Sequence, residues 1–432
     1  MMRYRSTRER EATVPPSQAI ERGLAPDGGL YVPSSFPPAD LASLRSATSL
    51  PDLARRFLAP FFAGDVLEPE LAAICAEAFD FPVVLRDLAR DTAVLELFHG
   101  PTAAFKDFGA RFLAASLERI PSPDPRPLTI LVATSGDTGG AVAAAFHGRP
   151  NVTVAVLYPK GLVSERQAHH LACWGDNVQT FAVRGTFDDC QQLVKAAFRD
   201  DAIGAGHRLS SANSINLGRL LPQMVYYAQA SLEVWRRERE RANFIVPSGN
   251  LGNVLACIWA RAIGLPIGEV VLATNANPTV TEYLATGEWC PRRSIATLAS
   301  AMDVGDPSNM ERLRSLHPEI EGLRRAVSAY SVSDEQIRDT IVRDAAELGC
   351  VWCPHTATAA WVYRHVVAPH SRGHWVMVAT AHPAKFNEVV EPLIGREVPV
   401  PPELARLLAR PRIEREIDVG LAELRHGLEE VA

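Results

Sequence analysis

Lysine is scarce in this chain. Of the 44 basic side chains in its 432 residues, four are lysine (Lys106, Lys160, Lys195 and Lys385) and 40 are arginine. Arginine stays protonated in proteins, so chemistry that needs a neutral amine has four candidate side chains. A basic excess is missing too. Fifty acidic side chains leave a net charge of −6, which argues against a general binder of nucleic acid or of anionic membranes. No apolar run approaches the roughly 18 residues of a membrane span. The Arg-rich start, MMRYRSTRER, is not followed by an apolar segment, so a secretory leader is not expected. The seven cysteines (Cys75, Cys173, Cys190, Cys257, Cys290, Cys350 and Cys353) are an odd, scattered set, which fits reduced thiols in a cytoplasm better than a disulfide framework. HExxH and Gly-x-Ser-x-Gly are absent, and with them the common zinc-peptidase and serine-hydrolase templates. Cys350-Val351-Trp352-Cys353 with His355 is half of a zinc or redox pattern, and no second CxxC completes it.

What is present suits a large globular protein. A 47% hydrophobic share can fill a sizeable core, and the length suggests two to three domains. The first 90 residues read as short helices broken by Pro and Gly, with a loop at 25–38 and a helix at 68–79. From residue 92 the pattern changes. Apolar, β-rich runs at 92–98, 128–134, 152–158, 178–183, 243–246, 269–274 and 374–380 predict strands with helices between them. Such alternation predicts parallel sheets covered on both faces. The RRERER run at 236–241 reads as a solvated helix end.

Two strands run into Gly-rich turns and then helices: ILVAT-SGDTGG-AVAAAF at 130–146 and FIVPS-GNLGN-VLACIWARAIG at 244–264. Glycines let the backbone approach a ligand, and the N–H groups of a helix start point at it, so each turn is a candidate anion site. Neither is a Walker A loop or GxGxxG. Two such turns imply two anions, or one ligand held from two sides. The lysines differ in setting. Lys195 lies on an amphipathic helix and reads as surface, and Lys160 follows a strand and reads as a loop residue. Lys106, between two phenylalanines in FHGPTAAFKDFGARF, and Lys385, in TAHPAKFNE, have aromatic neighbours. A lysine in apolar surroundings has a depressed pKa and can attack a carbonyl to form a Schiff base. The alternative for each is a stem packed on Phe with its head in water.

Taken together these segments resemble the threonine synthase family, pyridoxal-phosphate enzymes of the tryptophan-synthase-β (fold type II) class. YRSTRE and GLAPDGGLYVP resemble that family's amino-terminal segment. ELFHGPTAAFKDFGARF resembles its cofactor-lysine signature, VATSGDTGGAVAAAF its cofactor-and-substrate loop, and SSANSINLGR a substrate-binding stretch. VPSGNLGN and ATAHPAKF complete the set in the family's order.

The resemblance implies an α/β fold of two open, mostly parallel αβα subdomains with the cofactor between them, after a mainly helical N-terminal segment. It divides the chain into an N-terminal domain, 1–90, and a catalytic core with a C-terminal extension, 91–432. It implies that Lys106 forms the Schiff base with pyridoxal 5'-phosphate and then shuttles protons. The turn Gly249, Asn250, Leu251, Gly252 and Asn253 is expected to hold the cofactor phosphate. Asp137 is expected near the pyridine hydroxyl and Thr380 at the ring nitrogen, which a hydroxyl does not hold protonated. Lys385 receives a supporting role. Ser135, Thr138, Asn213, Ser214 and Arg219 are placed around the carboxylate and phosphate of the substrate, O-phospho-L-homoserine. The implied reaction releases phosphate, adds water and gives L-threonine. A phospholyase that releases 2-oxobutyrate from the same substrate needs the same motifs. A non-catalytic nucleotide- or phosphate-binding regulator would leave the Lys106 and Lys385 segments unused. No metal, nucleic acid or membrane partner is expected, and monomer and homodimer both stay open. One departure is visible: Cys353 stands before Pro354-His355 where the family pattern leads one to expect an acid.

Overall fold

Runs of apolar residues at successive positions need cover on both faces, and the fold supplies it. The computed structural model describes all residues except 10, 11, 123, 125, 135 and 430–432. In chain order its strands are β1 (Tyr4–Ser6), β2 (Tyr31–Pro33), β3 (Val84–Ala89), β4 (Thr92–Glu96), β5 (Leu128–Ala133), β6 (Val152–Pro159) and β7 (Val178–Val183). They continue with β8 (Arg208–Ser211), β9 (Ala242–Pro247), β10 (Ile267–Thr274), β11 (Ser328–Ser331), β12 (Trp375–Ala379) and β13 (Arg415–Ile417). The seven expected strands correspond to β4, β5, β6, β7, β9, β10 and β12. In β5 and β9 every residue is buried.

The other strands depart from expectation. The segment 25–38 is not all loop, because β2 pairs antiparallel with β1, Tyr4 opposite Pro33. Three-residue strands show no periodicity to read. Likewise β3, half-exposed, pairs antiparallel with β4 as the edge of its sheet. Pro222 separates a short helix, Leu217–Leu220, from Gln223–Glu238, and Arg239 at φ 62° ends the second.

Two large sheets carry the molecule. One has the order β11-β10-β9-β12-β4-β3 and the other β13-β7-β6-β5-β8; apart from β3, all pairings within them are parallel. Each contains a point where the chain reverses its direction across the sheet. In the first sheet β9 leads outward to β10 on one side and meets β12 on the other. In the second, β5 leads to β6 on one side and meets β8 on the other. Beyond the carboxyl ends of strands at such a point, the loops diverge and leave a crevice that binds ligands.

The N-terminal segment packs onto this frame. Tyr4, Phe57, Phe61 and Phe62 share one apolar cluster with Phe108 and Phe112 of the helix Lys106–Arg119. Among the described residues, no helix is long and apolar enough to cross a membrane.

Candidate active site

The turn before Lys106 is laced onto the segment after β12. Ala103 adopts a left-handed φ of 52°, which a non-glycine residue keeps only under outside constraint. That constraint is visible. Phe105 N donates to Thr380 O at 2.8 Å, His382 N donates to Ala103 O at 3.0 Å, and Ala104 bridges Ala381. Asp107 accepts from the backbone N–H of Thr102 at 2.9 Å and from its hydroxyl at 2.6 Å. Lys106 thus starts a helix with its amine in the cleft. Burial pushes its pKa down to about 8, with Asp137 pulling up and Arg219 and Lys385 pushing down.

The first glycine loop follows β5. Thr134 Oγ1 accepts from Gly136 N and Gly139 N, each at 3.0 Å. Gly136 has φ 141°, and a Cβ there would stand 2.5 Å from Gln167 Nε2. The positive φ is what requires glycine at this turn. Asp137 opens the helix Asp137–Phe146 and is buried, with Lys385 Nζ 2.7 Å from its carboxylate. Burial raises its pKa, but Lys385, Lys106 and His355 outweigh that, and the carboxyl is held well below the ordinary range. Asp137 is therefore ionised, a point the sequence left open. Ser135 lies outside the described residues.

Asn213, Ser214 and Arg219 follow β8. The Ser214 hydroxyl accepts from Asn250 Nδ2, which joins this loop to the second glycine loop. Arg219 is 3% exposed; its Nη1 donates to Ala212 O, while its buried Nε has no partner among the described residues. Burial pushes its pKa down to about 10, so it remains a cation at neutral pH. Arg312, fully buried, backs the loop. It donates to Tyr31 O at 3.0 Å, Ile215 O at 2.6 Å and Asn309 Oδ1 at 2.7 Å.

The second glycine loop, 249–253, follows β9. Leu251 takes a left-handed φ of 62° and sinks its side chain into the core, which leaves only its backbone for a ligand. Asn250 Oδ1 accepts from Ser308 N at 2.7 Å and its carbonyl accepts from Asn309 Nδ2 at 2.9 Å. Asn253 Oδ1 accepts from the buried hydroxyls of Tyr226, at 2.6 Å, and Tyr227, at 2.8 Å. This fixes the amide, and leaves Asn253 Nδ2 buried without a partner among the described residues.

These pieces meet in one cleft of about 730 Å³. Lys106, Asp137, Thr138, Asn213, Ser214, Arg219, Gly249, Asn250, Gly252, Asn253 and Thr380 all line it, drawn from the crevices of both sheets. His355 lines it as well, although sequence reasoning saw in it only part of a Cys/His pattern. Its Nε2 accepts from Ala301 N at 3.1 Å, and burial pushes its pKa down to about 4, so the neutral ring carries its proton on Nδ1. Cys353, instead of completing a cysteine pair, caps the helix Pro354–Val362, its Sγ accepting from Thr356 N at 3.4 Å. Lys160, just after β6, pairs with Glu416, and Lys195 is exposed on the helix Phe187–Ala197, where it also lines the cleft, which its surface reading did not anticipate.

Comparison with known proteins agrees with this geometry. A family model described as pyridoxal-phosphate dependent enzyme matches residues 91–381, one for the threonine synthase N terminus matches 3–79, and one for the threonine synthase C-terminal region matches 356–426. Threonine synthase from Serratia marcescens is 40% identical over 414 residues, 95% of each chain. The chain belongs to the threonine synthase family. Its fold is that of the family's solved structures: the Escherichia coli threonine synthase matches with a TM-score of 0.91 at 37% identity over all of both chains. The pyridoxal-phosphate-bound threonine synthase from Brucella melitensis matches with a TM-score of 0.93 at 32% identity, covering 100% of this chain and 99% of that one.

Pyridoxal phosphate is the cofactor of this family, and the residues present fit it. A glycine-lined helix start beside the unspent amide donor of Asn253 suits its phosphate, and an amine with a depressed pKa suits its aldehyde.

Proposed function

We propose that this chain makes L-threonine and phosphate from O-phospho-L-homoserine and water. One observation carries the reading. Two unspent buried donors, Asn253 Nδ2 and Arg219 Nε, come from the crevices of two different sheets and belong to residues lining one cleft with Lys106. A cleft of that kind suits two phosphates, the cofactor's and the substrate's.

When bound, pyridoxal phosphate supplies an electron sink that acidifies the carbons near the substrate's amine. The chain supplies the rest. Lys106 would hold the cofactor through its amine and, as a base and acid, move protons at the substrate carbons; an amine with a pKa near 8 both takes and gives protons near neutral pH. Gly249, Asn250, Leu251, Gly252 and Asn253 would hold the cofactor phosphate, Leu251 through its backbone. Arg219, with Asn213 and Ser214, grips the substrate phosphate until it leaves; a guanidinium suits that group by its planar donors. Thr138, in the first turn of the helix after β5, would take the substrate carboxylate together with Ser135. Asp137 would serve the ring hydroxyl and Thr380 the ring nitrogen, and neutral His355 lines the same cleft.

The same reading keeps the division at residue 90, which falls between two of the matched family models. It also puts the chain in the cytoplasm, which suits seven unpaired cysteines of which six are buried.

The test is product identification from O-phosphohomoserine with cofactor present. Threonine and inorganic phosphate in equal amounts are expected. Release of 2-oxobutyrate and ammonia instead would make the chain a phospholyase, and no turnover would reject the substrate.

A further inference from the structure

A second lysine is buried against Asp137, which lines the cleft with Lys106. Lys385, in the turn Pro383–Phe386, is only 2% exposed. Its ammonium has two partners, the Asp137 carboxylate at 2.7 Å and the carbonyl of Thr102 at 2.8 Å. The partners belong to different parts of the molecule. Asp137 opens the helix beyond β5, and Thr102 lies in the turn beyond β4 that presents Lys106. Thr102 also gives its N–H and its hydroxyl to Asp107, the neighbour of Lys106. A continuous set of polar contacts therefore runs from Asp137 in one sheet's crevice, through Lys385 and Thr102, to the residue beside Lys106 in the other.

The charges around Lys106 give this arrangement a purpose. Asp137, Arg219 and Lys385 act on it, and Asp137 is the only acid of the three. Deep in a protein, a lone carboxylate seeks the nearest cation, and the resulting pair is hard to separate. Were Asp137 not already paired, it would hold Lys106 as an ammonium, which cannot attack a carbonyl.

We propose that Lys385 is a positioning residue that neutralises Asp137 and pins the Thr102 turn, so that Lys106 gives up its proton more readily. This rests on the reading that Lys106 carries the cofactor. Lys385 itself makes no bond to the cofactor. The two lysines thus have unlike duties, one reactive and one electrostatic.

The test follows cofactor capture. Protein stripped of cofactor is mixed with pyridoxal phosphate at a series of pH values, and the rate of appearance of the visible absorbance band is recorded. Borohydride reduction and peptide mapping then locate the modified lysine. In Lys385→Met the pH midpoint of the rate should rise by about one unit, a roughly tenfold slower capture at pH 7. In Asp137→Asn the midpoint should fall. In the double variant it should return to near the wild-type position, because the charges have been removed as a pair. Unchanged midpoints in the single variants, or a double variant no better than Lys385→Met, would overturn the proposal. Should Lys385→Met fail to fold, Asp137→Asn and the double variant still decide. A wild-type label on Lys385 would instead refute the Lys106 assignment, so the two failures are distinguishable.

Discussion

The α carbon of Gly249 lies directly against the backbone of Met302. A Cβ added there would stand 2.6 Å from Met302 Cα and 2.8 Å from its carbonyl oxygen. Backbone atoms cannot rotate away, and Ala301, next to Met302, is held by its hydrogen bond to His355. Gly249→Ala is therefore expected to displace the loop, at an overpacking cost of about 1–3 kcal/mol. Cofactor affinity, read by equilibrium dialysis, should fall about tenfold or more. Wild-type affinity in this variant would mean that the loop does not hold the cofactor.

Arg219→Ala should separate the two phosphates. A charge-assisted contact contributes about 1.5–3 kcal/mol, so substrate KM should rise roughly 10- to 150-fold while cofactor affinity changes little. Steady-state kinetics beside a cofactor titration read both. Equal losses would place Arg219 at the cofactor's phosphate instead.

Two buried histidines make the fold sensitive to acid. Burial pushes His170 down to about 3 and His355 down to about 4. Each stays neutral when folded and takes up a proton on unfolding, so stability is full above pH 6.5 and falls as the pH drops toward 4. One such group contributes a slope of about 1.4 kcal/mol per pH unit in that window. Neither ring nitrogen of His170 has a partner among the described residues. His170→Leu should therefore flatten the slope by about that amount without breaking a hydrogen bond. Denaturant melts at pH 7, 6 and 5 measure it; an unchanged slope would show that His170 does not titrate on unfolding.

Arg312 ties the N-terminal segment to the substrate loop through Tyr31 O and Ile215 O. Arg312→Met keeps the bulk but strands those buried acceptors, together with Asn309 Oδ1, at a cost on the order of 3 kcal/mol. Lower thermal stability with a raised substrate KM is expected. Unaltered values of both would reduce Arg312 to a space-filling role.

Much of this site is legible in the sequence because its parts are local. A glycine turn between a strand and a helix brings its own geometry, so Gly249, Gly252 and Asn253 are found from neighbours alone. Lys106 stands out because phenylalanines flank it, Phe108 in the core and Phe105 partly buried against that core. The strands that escaped notice are short, like β1 and β2, or half-exposed, like β3, so neither alternation nor a long apolar run marks them. The long-range polar partnerships are the larger omission. Lys385 and Asp137 are far apart in sequence, and only the approach of two sheets makes them a pair. Arg312, in MERLRSL, looks like any helix-surface arginine until tertiary packing buries it. The orientation of Asn253 depends on Tyr226 and Tyr227, which read as core aromatics in a long apolar helix.

The assignment of work between the lysines is the centre of the account, and the chain's composition makes it easy to test. Protein carrying its cofactor is reduced with borohydride, digested and mapped by mass. The account predicts the cofactor's mass on the peptide containing Lys106 and on no other lysine peptide. A label on Lys385, Lys160 or Lys195 would contradict it.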